Sequence, residues 1–134
     1  MLRRQVPPLE RIGLQLYTVR ELMQADVART LERVAKVGYL EVEFAGYFGE
    51  TPRRIRGLLD SLGLEAPSTH LSLRDLGPDL PRTLDLAETM GHRYLVVPSL
   101  DPLDRRNLRL ALEKLPHLPS IEPLMAPLQG PFPS

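Results

Sequence analysis

A strand pattern followed by a helix pattern recurs four times along this sequence. Apolar strand patterns begin near residues 12, 40, 64 and 94, and an amphipathic helical pattern follows each of them. The repeat of roughly 24 to 30 residues is typical of β-α units whose strands lie parallel in one sheet. The sequence therefore predicts the α/β fold class.

Residues typical of helix ends set the element boundaries. The strands are predicted at residues 12–17, 40–45, 64–70 and 94–98, and the helices at 27–37, 52–62, 79–90 and 102–114. Asp26 and Thr51 are suited to cap helices at their N-termini, and Gly38 and Gly63 to end them. The third strand is the weakest prediction because Pro67 has no N–H to donate to a neighbouring strand.

Four β-α units are half of a (β/α)8 TIM barrel, which typically takes ~250 residues. We therefore expect an extension at residues 1–10, a partial TIM barrel at 11–114 and a separate tail at 115–134. An open sheet with helices on both faces is the alternative arrangement. The tail is predicted to be disordered because prolines recur too often for a helix or central strand. A natural extension and a shifted reading frame would both produce such a run.

Composition limits the partners. Seventeen basic and seventeen acidic residues leave no net charge, so nucleic acid is not an expected partner. No apolar run reaches the ~18 residues of a membrane span, and the start lacks a secretory signal, so we expect no membrane partner and a cytoplasmic location. The absence of cysteine excludes disulfides and thiolate metal sites. Carboxylates and three histidines, His70, His92 and His117, remain as metal-binding side chains.

Each of the first three strands carries polar residues on one of its faces. These residues are Gln15 and Tyr17, Glu41 and Glu43, and Ser68 and His70. Carboxylates inside a sheet are costly unless they are paired, hydrated or bound to a metal, so we expect a polar interior near the carboxyl ends of the strands. The residues predicted to bind substrate there are Gln15, Tyr17, Glu43 and His70.

Each of these four residues also has a structural interpretation. Glu43 is either a pocket carboxylate or a carboxylate paired with an arginine. His70 either contacts substrate or bonds to the backbone at the strand end. Tyr17 is either a hydroxyl donor or a packing residue at the rim, and Gln15 either contacts substrate or satisfies interior hydrogen bonds.

Other polar residues are expected to be structural or solvated. Glu41 lies deeper along its strand and is predicted to be structural, whereas His92 and His117 are predicted to be solvent-exposed. The glycines of segment 45–49 fit neither dinucleotide nor P-loop motifs, although amides at the start of the helix after Thr51 are able to hold an anion. No nucleophile elbow is present.

Four segments, in this order, carry a resemblance to a known family. They are IGLQLYTVRELM, LERVAKVGYLEVEFAGYFG, LGLEAPSTHLSL and AETMGHRYLVVPSL, and they lie within about residues 11 to 104. Together they resemble the N-terminal half of the sugar phosphate isomerase/epimerase family, whose members have a xylose isomerase-like TIM barrel. That family also includes inosose dehydratases and type IV abasic-site endonucleases.

The resemblance implies a divalent-metal enzyme, with Mn, Mg, Zn or Co, that moves a proton between adjacent carbons of a sugar, sugar phosphate or cyclitol. It implies pocket-lining roles for Tyr17 and for Glu43 in VEFAG. His70 in STHLSL matches a histidine that touches substrate in the isomerase members and metal in the endonuclease branch.

This sequence departs from the family pattern at the metal ligands. In the isomerase branch two glutamates, an aspartate and a histidine come from later strands, whereas the tail here offers only His117 and Glu122. The endonuclease branch has a second histidine where this sequence has Pro98 and Ser99, so nuclease activity is not expected. The sequence therefore assigns no catalytic residue and no metal ligand.

Two functions follow as hypotheses. The first is the N-terminal portion of a metal-dependent sugar phosphate isomerase/epimerase-like protein, catalytically incomplete as this chain and without a bound metal of its own. The second is a non-enzymatic half-barrel module for binding or assembly. Because four parallel strands leave two open edges, such a module is expected to form a homodimer through them.

Overall fold

The structure is a computed structural model and describes residues 10–107, 109 and 113. Within this part of the chain, parallel strands form one sheet in the order β1 (Gly13–Gln15), β2 (Glu41–Ala45), β3 (Glu65–His70) and β4 (Tyr94–Val96). The α-helices are α1 (Arg20–Ala25), α2 (Val27–Val37), α3 (Pro52–Leu62), α4 (Leu80–Met90) and α5 (Pro102–Arg106). The predicted α/β fold class is confirmed.

The domain boundaries remain predictions. Residues 1–9 and 114–134 lie outside the described residues, and so does most of the predicted last helix beyond α5. The described part of the chain contains no helix that is both long and apolar enough to cross a bilayer.

Polar caps begin the two longest early helices as the sequence predicts. The carboxylate of Asp26 accepts a hydrogen bond from the backbone of Arg29, and the hydroxyl of Thr51 accepts one from the backbone of Arg54. These bonds satisfy N–H groups that have no partner within the first helical turn. They fix where α2 and α3 start.

One face of the sheet packs against the helices and forms the core. The buried residues of this core come from β2, β3, the helical segments and the residue before β3: Leu16, Met23, Val27, Leu31, Val34, Val42, Phe44, Ile55, Leu59, Leu64, Ala66 and Met90. Val42 and Phe44 alternate with Glu41 and Glu43 along β2, so side chains of opposite character point to opposite faces. The carboxylates therefore lie on the face away from the helical core.

The first strand is shorter than predicted. A strand was expected over residues 12–17, but β1 ends at Gln15, and Leu16–Val19 form a 3-10 helix that leads into α1. Leu16, Val19 and Met23 recur at spacings of three and four residues, which is helical periodicity. Burial of Leu16 and Met23 in the core favours the helix.

The third strand contains an irregularity at its proline. Glu41 pairs with Glu65 and Glu43 pairs with Ser68, so β3 uses one residue more than β2 between these two positions. This is the arrangement of a β-bulge, where a proline is tolerated. Pro67 lies at this bulge, and its carbonyl accepts a hydrogen bond from the backbone of Arg93.

Candidate functional site

A polar cluster around Glu43 lies on the face of the sheet away from the helices. Ser68 Oγ donates to Glu43 Oε2 at 2.6 Å, and Gln15 Nε2 donates to Glu43 Oε1 at 3.1 Å. His70 Nε2 lies 2.9 Å from the same Oε1. Residues from β1, β2 and β3 thus surround one carboxylate.

The contacts of His70 are compatible with the tautomer that carries its proton on Nε2. Gln15 Nε2 lies 3.3 Å from Nδ1 and 3.2 Å from Nε2 of the ring. When Nε2 carries the proton and donates a hydrogen bond to Glu43, Nδ1 is free to accept one from the Gln15 amide. The ring and the carboxylate are therefore held in a fixed relative orientation.

This geometry shows the hydrogen-bond partners of three predicted site residues, whose binding of substrate stays a prediction. The polar partners of Glu43 among the described residues are Gln15, Ser68 and His70, and none of them is an arginine. The ring nitrogens of His70 meet side chains of the cluster and not a backbone carbonyl. Gln15 makes hydrogen bonds on this face of the sheet, and its partners are Glu43 and His70 of the same cluster.

The bulge in β3 brings Ser68 and His70 to this face. Ala66 and Thr69 are both buried, although they are three residues apart. Strict alternation from a buried Ala66 would also bury residues 68 and 70. Because the bulge inserts one residue, Ser68 and His70 instead face Glu43.

Tyr17 lies beside the cluster without joining its hydrogen bonds. It follows β1 in the 3-10 helix and is 54% exposed. A cavity of about 460 Å³ opens at this end of the sheet, and its lining residues are Gln15, Tyr17, Ala45, His70, Leu71 and Pro98. The four residues predicted to bind substrate therefore lie close together. Gln15, Tyr17 and His70 line this cavity. Glu43 contacts Gln15 and His70.

Glu41 is paired at the other end of the strands, which agrees with its predicted structural role. Arg11 Nε donates to Glu41 Oε1 at 2.7 Å, and Arg11 Nη2 lies 3.0 Å from Glu65 Oε2. The hydrogen bond to Glu41 and the charge of Glu65 raise the pKa of Arg11. This cation ties the first residues of β2 and β3 together.

The prediction that His92 is solvated is wrong. Its Nδ1 lies 2.6 Å from the carbonyl oxygen of Ala66, and its Nε2 lies 3.0 Å from the Tyr47 hydroxyl. Partial burial lowers the pKa of His92, while the bond to Ala66 opposes that effect, and burial raises the pKa of Tyr47. Stacking of the Tyr47 ring on Phe44, with centroids 5.5 Å apart, explains why His92 is covered.

A second cavity, of about 330 Å³, lies near Tyr47, and Thr69 from the buried side of β3 lines it. It shares His70 and Leu71 with the cavity beside the cluster, so the two cavities adjoin at the end of β3. We place the candidate site at the cluster because the predicted residues Gln15, Glu43 and His70 contact one another there.

The described residues do not fit a metal centre. Within residues 10–107, 109 and 113, no three His, Asp or Glu side chains lie close enough together to hold an ion. Glu43 and His70 supply one carboxylate and one imidazole, fewer than the usual donor set of a resident divalent ion. That this chain alone binds no metal stays a prediction.

Three residues of the polar structure were not among the predicted site residues. Ser68 shares its strand face with His70, and this two-residue spacing was the available signal for it. Tyr47 and His92 gave no periodic signal because their bond joins a loop after β2 to the second residue after α4. Only the packed sheet brings them together.

Comparison with known proteins shows the fold. The chain is similar to a sugar phosphate isomerase/epimerase of known crystal structure from Parabacteroides distasonis, with a TM-score of 0.58 and 22% sequence identity. The match covers 73% of this chain and 42% of that chain, so this chain spans less than half the length of that protein. No family model matches the sequence, and no curated protein matches it. The predicted partial TIM-barrel fold is confirmed.

Proposed function

We propose that this chain is the N-terminal portion of a sugar phosphate isomerase/epimerase-like barrel and provides part of its substrate pocket. The observation that carries the proposal is the cluster of Gln15, Glu43, Ser68 and His70 at the carboxyl ends of β1 to β3. Barrel enzymes bind substrate at this end of their strands. The name of the structurally similar protein supports the same substrate class.

The cluster has the chemistry to bind a polyol. Glu43 accepts hydrogen bonds from hydroxyl groups, and the Gln15 amide and His70 ring offer donors and acceptors. A carboxylate held by neighbouring donors is also suited to receive a proton from a sugar hydroxyl. The divalent ion expected for the family supplies Lewis acidity in the complete barrel. Since the described residues do not form its site, we assign to this described part of the chain substrate binding without a complete catalytic centre.

Calorimetric titration with D-ribulose and D-ribulose 5-phosphate tests the proposal. We expect the wild-type chain to bind at least one of these sugars. Glu43→Gln should weaken that binding at least tenfold because it removes the charge that strengthens the hydrogen bonds. The matched control is Glu32→Gln on the exposed surface of α2, which should change nothing. Absence of binding to both sugars, or equal binding by the two variants, would refute the proposal.

A second candidate function is assembly through the sheet edges. β1 and β4 are the edges of the sheet within the described residues. Ile12, directly before β1, is 52% exposed, and Tyr94 at the start of β4 is 64% exposed. Exposed apolar side chains at open edges favour pairing with another chain. Analytical ultracentrifugation distinguishes the candidates: a dimer at micromolar concentration that Tyr94→Lys dissociates supports assembly, and a monomer contradicts it.

A further inference from the structure

A third cavity continues the candidate site toward the start of α1. It has a volume of about 600 Å³, and its lining residues are Tyr17, Arg20, Glu21, Gln24, Ala45 and Phe48. Tyr17 and Ala45 also line the cavity beside Gln15 and His70. The two cavities therefore adjoin at Tyr17 and Ala45. Arg20 lines the one, and Gln15 and His70 line the other.

The guanidinium of Arg20 is held in place by Tyr17. Its Cζ lies 4.5 Å from the centroid of the Tyr17 ring, and its Nη1 donates to the Tyr17 carbonyl oxygen at 3.0 Å. Stacking of this kind orients an arginine without using most of its N–H donors. Among the residues that the structure describes, no carboxylate lies within ion-pair distance of Arg20. The other N–H donors of Arg20 are therefore not in contact with a carboxylate of the described residues.

We propose that Arg20 binds the phosphate group of a phosphorylated sugar whose polyol end lies at Glu43 and His70. The inference rests on the proposed function and names Arg20 as the residue that distinguishes phosphorylated from neutral sugars. The planar guanidinium matches phosphate oxygens with paired hydrogen bonds. The hydroxyl groups of the polyol end match the donors and acceptors of the cluster. A phosphate dianion at the cluster would instead be repelled by the Glu43 carboxylate.

Glu21 lines the same cavity and provides an internal test of the charge argument. Its carboxylate repels a phosphate bound at Arg20, so it lowers the affinity that Arg20 creates. Glu21→Gln should therefore raise the affinity for the phosphorylated sugar and leave that for the neutral sugar unchanged. A steric role for this part of the cavity would change both affinities in the same direction.

The decisive experiment titrates the wild-type chain and Arg20→Met with D-ribulose 5-phosphate and with D-ribulose. We expect the wild type to prefer the phosphorylated sugar by about tenfold or more, as charge-assisted hydrogen bonds to phosphate allow. Arg20→Met should abolish this preference and leave D-ribulose binding unchanged. Arg20→Lys should retain only part of the preference, because lysine keeps the positive charge but lacks the planar guanidinium that forms paired hydrogen bonds with phosphate. Arg29→Met is the matched control, since Arg29 is exposed on α2.

The outcomes distinguish failure of this inference from failure of the proposed function. If both sugars bind with equal affinity, or if Arg20→Met keeps the preference, the phosphate role of Arg20 is wrong while the polyol site stands. If Arg20→Met weakens both sugars equally, Arg20 supports the shape of the cavity and the inference is again wrong. If neither sugar binds the wild type, the proposed function fails and the inference fails with it.

Discussion

The hydroxyl of Tyr47 lies 3.0 Å from Nε2 of His92, and this contact joins the loop after β2 to the residue that precedes β4 by two positions. Because Nδ1 of His92 faces the carbonyl oxygen of Ala66, Nδ1 carries the ring proton. Nε2 is then the acceptor for the Tyr47 hydroxyl. A neutral ring satisfies both contacts, and this is the form that partial burial favours.

Stability should fall in mild acid because of His92. Its pKa in the folded chain is lowered from 6.5, so the unfolded chain binds the proton first as the pH falls below about 6.5. The stabilising contribution is present above that pH and declines as the pH falls toward the folded pKa. Urea unfolding between pH 8 and pH 5 measures this slope.

The control for this pH dependence is His92→Asn. Its amide can replace the bond to Ala66 but has no acceptor that reaches Tyr47, so it should cost about 1 kcal/mol at pH 8. In this variant the free energy of unfolding should change less with pH over the same interval, because the contribution of His92 is gone. Some pH dependence should remain, because the other titrating groups remain. An unchanged slope would show that His92 does not cause the effect.

Loss of the cluster's charge should spare the fold. The side chains of His70 and Glu43 are 21% and 27% exposed, so water still reaches the polar groups that each substitution leaves, and each substitution should cost about 1 kcal/mol. Glu43→Gln and His70→Asn should therefore unfold at nearly the wild-type urea concentration while sugar binding is lost. Unfolding of either variant at room temperature would instead assign that residue a structural role.

Manganese should not stabilise this chain. A site with a dissociation constant near ~1 μM would add about 4 kcal/mol at ~1 mM metal and raise the melting temperature by several degrees. Because the described residues group no three donors, we expect no shift in differential scanning fluorimetry. A metal-dependent rise that Glu43→Gln removes would contradict this prediction.

Two glycines should respond oppositely to alanine. Gly46, after β2, has φ +80, a region that alanine rarely adopts, and nothing lies within 4 Å of an added Cβ. Gly46→Ala should therefore destabilise the chain by about 1 kcal/mol through backbone strain alone. Gly57 lies inside α3 with equally open space, so Gly57→Ala should stabilise by about 0.5 to 1 kcal/mol. Urea denaturation of both variants checks the two signs.

The sequence alone was sufficient for the order of the four strands, for helices α2, α3 and α4, and for most residues of the polar cluster, but it did not predict α1. Helix ends at Asp26 and Thr51 depend on side chain to backbone bonds over three residues, so local pattern predicts them. The alternation of Val42, Glu43 and Phe44 likewise placed the Glu43 carboxylate opposite the core.

Packing determined the features that local pattern does not encode. The face on which Ser68 and His70 lie depends on the bulge at Pro67, because one extra residue reverses the alternation that Ala66 begins. Leu16 entered a 3-10 helix in place of a strand because burial with Met23 outweighed the local strand pattern. Local pattern did not predict the partial burial of His92, because its partners Ala66 and Tyr47 are 26 and 45 residues away along the chain. Contacts over such separations exist only once the sheet has formed.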